Sequence, residues 1–139
     1  MENNQRLILM EHLKDIFEEL SCSSYVKTIY MGFDLGEEMV AAAYPHKSYV
    51  EIAIALSDDH PDSALKDASH LTWRTLPVSL EVSTLNEIDQ NIGLLHEACK
   101  RVRDGMANKP RDNEFFRKAR RERRENTRKQ DGKISWTCS

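Results

Sequence analysis

The sequence predicts an α+β fold, in which an N-terminal and a C-terminal helix pack on an antiparallel sheet of four or five strands. Three observations lead to this prediction. Apolar residues recur at helical spacing near each end of the body, the stretch between them has the two-residue period of strands, and no helical segment separates one strand from the next. Strands joined by short loops pair antiparallel, and the apolar face of each helix must be buried against them.

The first helix is predicted from apolar residues that share one face near the N-terminus. They are Leu9, Leu13, Ile16, Phe17 and Leu20. The run SCSS (21–24) follows, and its hydroxyls favour a turn, so the helix is expected to end there.

Strand-like segments follow the first helix. YVKTIYMGFDLG (25–36) is rich in β-branched and aromatic residues, and EEMVAAAYPHKS is expected to form a weaker strand closed by Pro45. In YVEIAIALS, the two-residue alternation places Ile52 and Ile54 on one face and Glu51 on the other. This segment is therefore the clearest predicted strand.

The second half of the sheet is predicted from shorter signals. A polar loop with a helical turn at residues 63–67 is expected first, followed by strands at HLTWR (70–74) and PVSLEVS (77–83). A long final helix should begin at Thr84, which can form a capping box with Glu87, and should end near Gly105. Its predicted apolar seam consists of Leu85, Ile88, Ile92, Leu95, Cys99 and Val102.

This order of elements resembles a small bacterial domain of unknown function, numbered 5655, some of whose members are described as predicted transport proteins. The resemblance covers roughly residues 25–104 and rests on YMGFDLG, YVEIAIAL, KDASHLTW and LEVSTLNEID. It implies an α+β domain in an intracellular protein and supplies no catalytic residues. The chain departs from the family at RTLP after Trp73, where members tend to have a glycine-rich turn, and in its basic tail.

Charge divides the chain into an acidic body and a basic tail. Residues 1–108 hold 18 acidic and 9 basic residues, a net charge of −9, whereas residues 109–139 hold 5 acidic and 11 basic residues, a net charge of +6. The division predicts an acidic α+β domain at 1–108 and a basic tail at 109–139 that is helical around 113–129. One predicted helical stripe carries Arg117, Arg120, Arg121, Arg124 and Arg128.

The favoured functional prediction is an adaptor or inhibitor without enzymatic activity. It would bind a protein partner or a second copy of the chain through the body and the Arg stripe, with Phe115 and Phe116 as apolar anchors. The alternative is a nucleic-acid-associated protein whose tail contacts phosphates, although the negative body disfavours it. A third hypothesis is small-ligand binding or an unrecognised enzyme activity on a strand face. Its candidate residues are His46, Lys47, Trp73 and Arg74.

Catalytic and metal-binding signatures are weak in this sequence. No P-loop, GxGxxG or GxSxG motif is present, and no cofactor is expected. Asp58, His60 and Asp62 have ligand chemistry suited to a divalent ion, but their spacing matches no recognised zinc or calcium loop, so no metal is expected.

The cysteines and the hydropathy pattern predict a cytoplasmic protein. Cys22, Cys99 and Cys138 are odd in number and far apart, which favours a reducing compartment over a disulfide framework or a zinc site. No secretory signal is visible, and no apolar stretch reaches the 18 residues or so that a membrane span requires, so no membrane contact is expected.

Overall fold

The computed structural model describes residues 3–71 and 75–108, and its sheet has the strand order β1-β2-β3-β4-β6-β5. Every neighbouring pair of strands is antiparallel. The elements are α1 (Asn3–Glu19), β1 (Ser23–Val26), β2 (Met31–Leu35), β3 (Glu38–Pro45), β4 (Val50–Ile54), β5 (Leu65–Asp67), β6 (Val78–Val82), α2 (Leu85–Gln90) and α3 (Ile92–Arg103). The predicted α+β class is confirmed, with six strands in place of four or five.

The core lies between the sheet and the helices α1 and α3. Phe17 of α1 stacks on Phe33 of β2 with ring centroids 4.3 Å apart. On the same face, Ile52 of β4 lies opposite Ala43 on one side and Leu80 on the other. These side chains are fully or almost fully buried, as the alternation in β4 predicts, and each large one contributes about 1.5–3 kcal/mol by burial.

The segment YVKTIYMGFDLG was expected to form one strand ahead of the weaker strand EEMVAAAYPHKS. It takes part in a hairpin of β1 and β2, so this prediction is wrong. The chain turns between β1 and β2, where the Lys27 N–H donates to the Tyr30 carbonyl at 2.8 Å. The next strand, β3, is central and has eight residues, more than any other strand in the described part of the chain, although its sequence predicted a weaker one. In this hairpin, β1 pairs with β2, so the backbone groups of residues 23–26 find hydrogen-bond partners within the same segment of the chain.

The polar loop after β4 also differs from its prediction. Residues 65–67 form the edge strand β5, in which Leu65 pairs with Leu80, in place of the expected helical turn at 63–67. His70 and Leu71 lie in a turn, where the Leu71 N–H donates to the Ala68 carbonyl at 2.9 Å. The strand predicted at 70–74 is therefore wrong for these two residues, and its other residues lie outside the described part.

The predicted final helix is two helices that meet at Asn91. The Asn91 side chain donates to the Glu87 carbonyl at 2.8 Å, a local bond that competes with helix continuation. Ile88 and Leu95 are fully buried as predicted, whereas Leu85 is 41% exposed. The Glu87 N–H donates to Thr84 Oγ1 at 3.1 Å, which confirms the predicted cap.

Helices α1 and α3 end in the same backbone motif. After α1, the Cys22 N–H donates to the Phe17 carbonyl at 2.9 Å and the Ser21 N–H to the Glu18 carbonyl at 3.0 Å. After α3, the same two bonds run from Met106 to Arg101 and from Gly105 to Val102, as expected for a helix that ends near Gly105. The left-handed residue is Gly105 (φ 76°) in one motif and Ser21 (φ 71°) in the other.

Ser21→Gly is expected to raise the free energy of unfolding by about 0.5–1 kcal/mol, because a Cβ is disfavoured at this positive φ. Urea denaturation followed by far-ultraviolet circular dichroism measures the change. The reciprocal variant Gly105→Ser is the matched control and should lose a similar amount. A lower urea midpoint for Ser21→Gly would contradict the interpretation.

Across residues 3–71 and 75–108, none of the helices combines the length and the apolar character needed to cross a membrane.

Candidate functional site

A row of small side chains crosses the sheet on the face opposite α1 and α3. Gly32 pairs with Ala42, Ala42 with Ala53, and Ala53 with Ser79, so four neighbouring strands contribute to the row. Tyr25 of β1 pairs with Gly32, and a Cβ on Gly32 would lie 2.3 Å from Tyr25 Cζ. The tyrosine ring therefore covers the glycine, and position 32 has no room for a larger residue while that ring stays in place.

A charged residue lies beside this row, in the middle of the sheet. Glu51 of β4 pairs with Tyr44 of β3 and with Glu81 of β6, and its side chain is only 3% exposed. Burying a carboxylate is costly unless donors replace the water that it loses. The groups that contact Glu51 therefore define the candidate site on this face.

Three side chains donate hydrogen bonds to the Glu51 carboxylate. His46 Nε2 lies 3.0 Å from Oε1, while His70 Nε2 and Ser79 Oγ lie 2.8 and 2.9 Å from Oε2. We call these four residues the Glu51 cluster. Together the three donors compensate for much of the hydration that the carboxylate loses on burial.

Different elements place the donors of the Glu51 cluster. His46 follows β3 in the tight turn to β4, where its N–H donates to the Tyr49 carbonyl at 2.8 Å and its ring stacks on Tyr49 at 4.6 Å. His70 lies in the turn after β5, which is tied to the start of β6 by the Ala68 N–H donating to the Pro77 carbonyl at 2.9 Å. Both imidazoles are thus held by backbone turns at the rim of the sheet.

The two imidazoles are the accessible part of the cluster. The side chains of His46 and His70 are 39% and 55% exposed, whereas Glu51 and Ser79 are buried. An ionised carboxylate only accepts hydrogen bonds, so each histidine donates from Nε2 and keeps Nδ1 for another partner. A neutral Nδ1 accepts a hydrogen bond, and a protonated one donates.

Charged groups of the neighbouring strands lie near this site. Glu81 on β6 and Lys66 on β5 form an ion pair at 3.1 Å. With neutral imidazoles, Glu51 gives the cluster a formal charge of −1.

The sequence-predicted site residues have different outcomes. His46 belongs to the Glu51 cluster, and Lys47 is exposed in the neighbouring turn. Trp73 and Arg74 lie outside the described residues. So do all the predicted partner-binding residues, Phe115, Phe116, Arg117, Arg120, Arg121, Arg124 and Arg128, and the predicted helix around 113–129.

Sequence reasoning missed Glu51, His70 and Ser79 as site residues. The signal for Glu51 was present, since it is a charged residue inside the most apolar strand segment of the chain. No comparable signal marked His70 and Ser79, because their partner lies 19 and 28 residues away in the sequence.

The acidic loop between β4 and β5 is held by its own contacts. His60 Nε2 lies 3.0 Å from the carboxylate of Glu97 on α3, and His60 Nδ1 accepts from the Asp62 N–H at 3.2 Å. Asp62 in turn accepts from the Ala64 N–H at 2.9 Å. Within residues 3–71 and 75–108, no group of three or more His, Cys, Asp or Glu residues is arranged to hold a metal ion.

Asp34 of β2 is a further titratable group on the Glu51 face of the sheet. Burial raises the pKa of its carboxyl above the usual value, while a hydrogen bond from the Tyr25 hydroxyl at 3.3 Å lowers it by a smaller amount. The folded protein therefore holds the Asp34 proton more tightly than the unfolded chain does, and stability falls as pH rises through the interval between the two pKa values.

Asp34→Asn is expected to raise the urea midpoint at pH 7, because the amide keeps an acceptor for Tyr25 and carries no charge to desolvate. The gain should disappear at about pH 3, where Asp34 is protonated in both states. Asp15→Asn, on the exposed side of α1, is the matched control and should not show this pattern. An equal gain at both pH values would show that the charge of Asp34 is not the cause.

Comparison of the chain with models of known protein families, with curated proteins and with solved structures finds no match. The resemblance to domain 5655 therefore stays a prediction, and the function has to be argued from the site itself.

Proposed function

We propose that the protein is a small-ligand-binding domain whose site is formed by His46 and His70 over the buried carboxylate of Glu51. The single observation that carries the proposal is the 3% exposed carboxylate with three side-chain donors. Perturbed or buried ionisable groups with specific partners are concentrated at functional sites. Of the three functions that the sequence suggested, ligand binding is the one that these contacts favour.

A purely structural role explains this arrangement less well. Apolar residues at positions 51 and 79 together would avoid desolvating a charge and would leave no polar group unpaired, and such replacement of buried ions and their partners is often neutral or stabilising. The two histidines are also more exposed than a role in the core requires. A carboxylate that orients two accessible imidazoles is the arrangement that a binding site needs.

The chemistry of the exposed nitrogens indicates the ligand class. Because Glu51 occupies both Nε2 atoms, a ligand meets two Nδ1 acceptors when the imidazoles are neutral. The charge of the cluster is then −1, which favours a cationic donor. We therefore propose a small ligand that carries amino or hydroxyl groups and binds between His46 and His70.

The experiment follows the imidazole nitrogens of the full chain by long-range ¹H–¹⁵N spectroscopy. Putrescine, ethanolamine and glycerol serve as probes, so that amine, mixed and hydroxyl ligands are separated. We expect the ring signals of His46 and His70 to shift with an amine at neutral pH. Unchanged signals with all three probes would contradict the proposal.

Two variants test whether the carboxylate is responsible. Glu51→Gln keeps the size of the side chain but removes the charge, and it should abolish the shifts at His46 and His70. Glu97→Gln is the matched control, since Glu97 also contacts a histidine, His60, but on the exposed side of α3. Shifts that persist in Glu51→Gln would show that binding does not depend on the carboxylate.

A second function, binding of a protein partner through the basic tail, is proposed on a separate observation. Asn108, the last described residue, donates to the carbonyls of Leu56 and Thr75 at 2.9 and 3.0 Å. These bonds fix Asn108 beside the start of the loop that carries Asp58 and Asp59. Residues 109–139 have a net charge of +6 and residues 1–108 a net charge of −9. These opposite charges favour contact between the tail of one chain and the acidic body of a second copy.

The second function is tested on the full chain with the five stripe arginines replaced by glutamine. We expect the wild-type chain to self-associate in sedimentation experiments at low salt and the variant to stay monomeric. A variant with Lys109, Arg111 and Lys133 replaced by glutamine is the control for loss of charge alone. Binding to duplex DNA whose affinity falls steeply with salt would instead favour the nucleic-acid alternative. Equal sedimentation of wild type and variant would exclude a role for the stripe in self-association.

A further inference from the structure

We propose that Cys22 and Cys99 are a site of oxidative modification, at which hydrogen peroxide converts the two thiols into an intramolecular disulfide. Their Sγ atoms lie 3.6 Å apart in the helix layer, although the residues are 77 positions apart in the sequence. Neither ligand binding at the Glu51 cluster nor the basic tail involves this pair, so the inference is independent of both.

The backbone holds both cysteines in place for this reaction. Cys22 directly follows the left-handed Ser21 and is fixed by the bond from its N–H to the Phe17 carbonyl at 2.9 Å. Cys99 lies in the middle of α3. A disulfide has an S–S length of about 2.0 Å, so the sulfurs must approach by about 1.6 Å from their separation of 3.6 Å. Rotation of the two side chains is expected to supply most of this movement, because Cys22 lies in the link between α1 and β1 while Cys99 stays in α3.

The environments of the two thiols give them different pKa values. The hydrogen bond with Cys99 lowers the pKa of the Cys22 thiol, burial and the negative charge of Asp34 oppose this effect, and Arg103 adds a smaller lowering. The same hydrogen bond, followed by burial, raises the pKa of the Cys99 thiol. Both cysteines are buried, and Cys22, whose thiol ionises more readily, is the less completely buried of the two, at 6% against 0% exposed.

The reaction balances in two steps. The Cys22 thiolate attacks one oxygen of hydrogen peroxide, the O–O bond breaks, and the products are a sulfenic acid and hydroxide. The sulfur of Cys99 then attacks the sulfenic sulfur, giving the disulfide and a second hydroxide, which the protons of the two thiols convert to water. Overall, two thiols and one peroxide yield one disulfide and two waters.

The disulfide would join the end of α1 to the centre of α3. Such a bond restricts the unfolded chain over a span of 77 residues, which stabilises the folded state in the chain-entropy model. Oxidised protein should therefore unfold at a higher urea concentration than reduced protein of the same sequence. This comparison needs no substitution in the core.

The test uses the full chain with Cys138→Ser, which leaves only the two thiols of interest. After treatment with peroxide, the protein is denatured and alkylated, and its mass is measured. We expect loss of two hydrogen atoms and of both alkylation sites, a cross-linked peptide that contains Cys22 and Cys99, and a raised urea midpoint that returns to the reduced value with dithiothreitol. Two alkylatable thiols after treatment, or separate oxygen adducts on each cysteine, would overturn the proposal.

Single variants assign the roles of the two sulfurs. Cys99→Ser keeps a hydrogen-bond donor beside Cys22 and should stop the reaction at a sulfenic acid on Cys22 that a dimedone probe traps, whereas Cys22→Ser should show little trapping at Cys99. Equal trapping at both sites would overturn the assigned order. Circular dichroism of each variant identifies any that fail to fold. In that case, the mass and the urea midpoint of the Cys138→Ser chain, which keeps both Cys22 and Cys99, still decide whether the disulfide forms.

Discussion

Phe17→Ala is expected to lower the free energy of unfolding by about 3–5 kcal/mol, which is a large share of the stability of a domain of this size. Phe17 is fully buried and stacks on Phe33 at 4.3 Å with an angle of 22° between the rings. The variant removes this contact and leaves a cavity between α1 and β2 that rigid neighbours fill only in part. Urea denaturation followed by circular dichroism measures the loss.

Ile8→Ala is the control for the Phe17 prediction. Ile8 also lies on α1 but is 53% exposed, so its truncation should change the free energy of unfolding by about 0.5 kcal/mol or less. A loss below about 1 kcal/mol for Phe17→Ala would mean that α1 does not pack on the sheet as described.

Glu51→Leu is expected to lower the free energy of unfolding by about 1–3 kcal/mol, because it leaves the buried hydroxyl of Ser79 without its acceptor. His46 and His70 are half exposed and can turn to water, so they add little to the cost. The prediction thus separates the buried part of the Glu51 cluster from its accessible part.

A double-mutant cycle tests this explanation. Ser79→Ala added to Glu51→Leu should restore most of the lost stability, since no polar group is then left unpaired in the sheet. If the losses in free energy of unfolding of Glu51→Leu and Ser79→Ala simply add in the double variant, the hydroxyl of Ser79 is not the source of the cost. The ligand-dependent shifts of the histidines should be absent in both variants that lack the carboxylate.

The sequence predicts the faces of the sheet well and the contacts between loops poorly. Alternation in YVEIAIALS correctly separates Ile52 from Glu51, because a two-residue period is a property of the strand itself. The edge strand β5 has only three residues and exists through its pairing with β6, so its own sequence predicted a helical turn instead. Asn91 similarly divides a helix whose apolar spacing looks continuous.

The candidate site was predictable only in part for the same reason. His46 was identified because it follows a strand next to aromatic residues, but the contact between His70 and Glu51 depends on how a turn after β5 folds back over the sheet. The pair Cys22 and Cys99 likewise joins the end of one helix to the middle of another. Such contacts are set by the packing of elements that are distant in sequence, which periodicity does not encode.

The strand order has a consequence for the route by which the chain folds. Strands β1 to β4 are neighbours in both sequence and space, whereas β6 pairs with β4 only after the chain has passed through residues 55–77. Closing this loop costs chain entropy before the hydrogen bonds between β4 and β6 can form and offset that cost. We therefore expect the four-strand meander to form early and the docking of β6 to limit the rate, so that substitutions at Leu80, whose contacts form in that step, should slow folding.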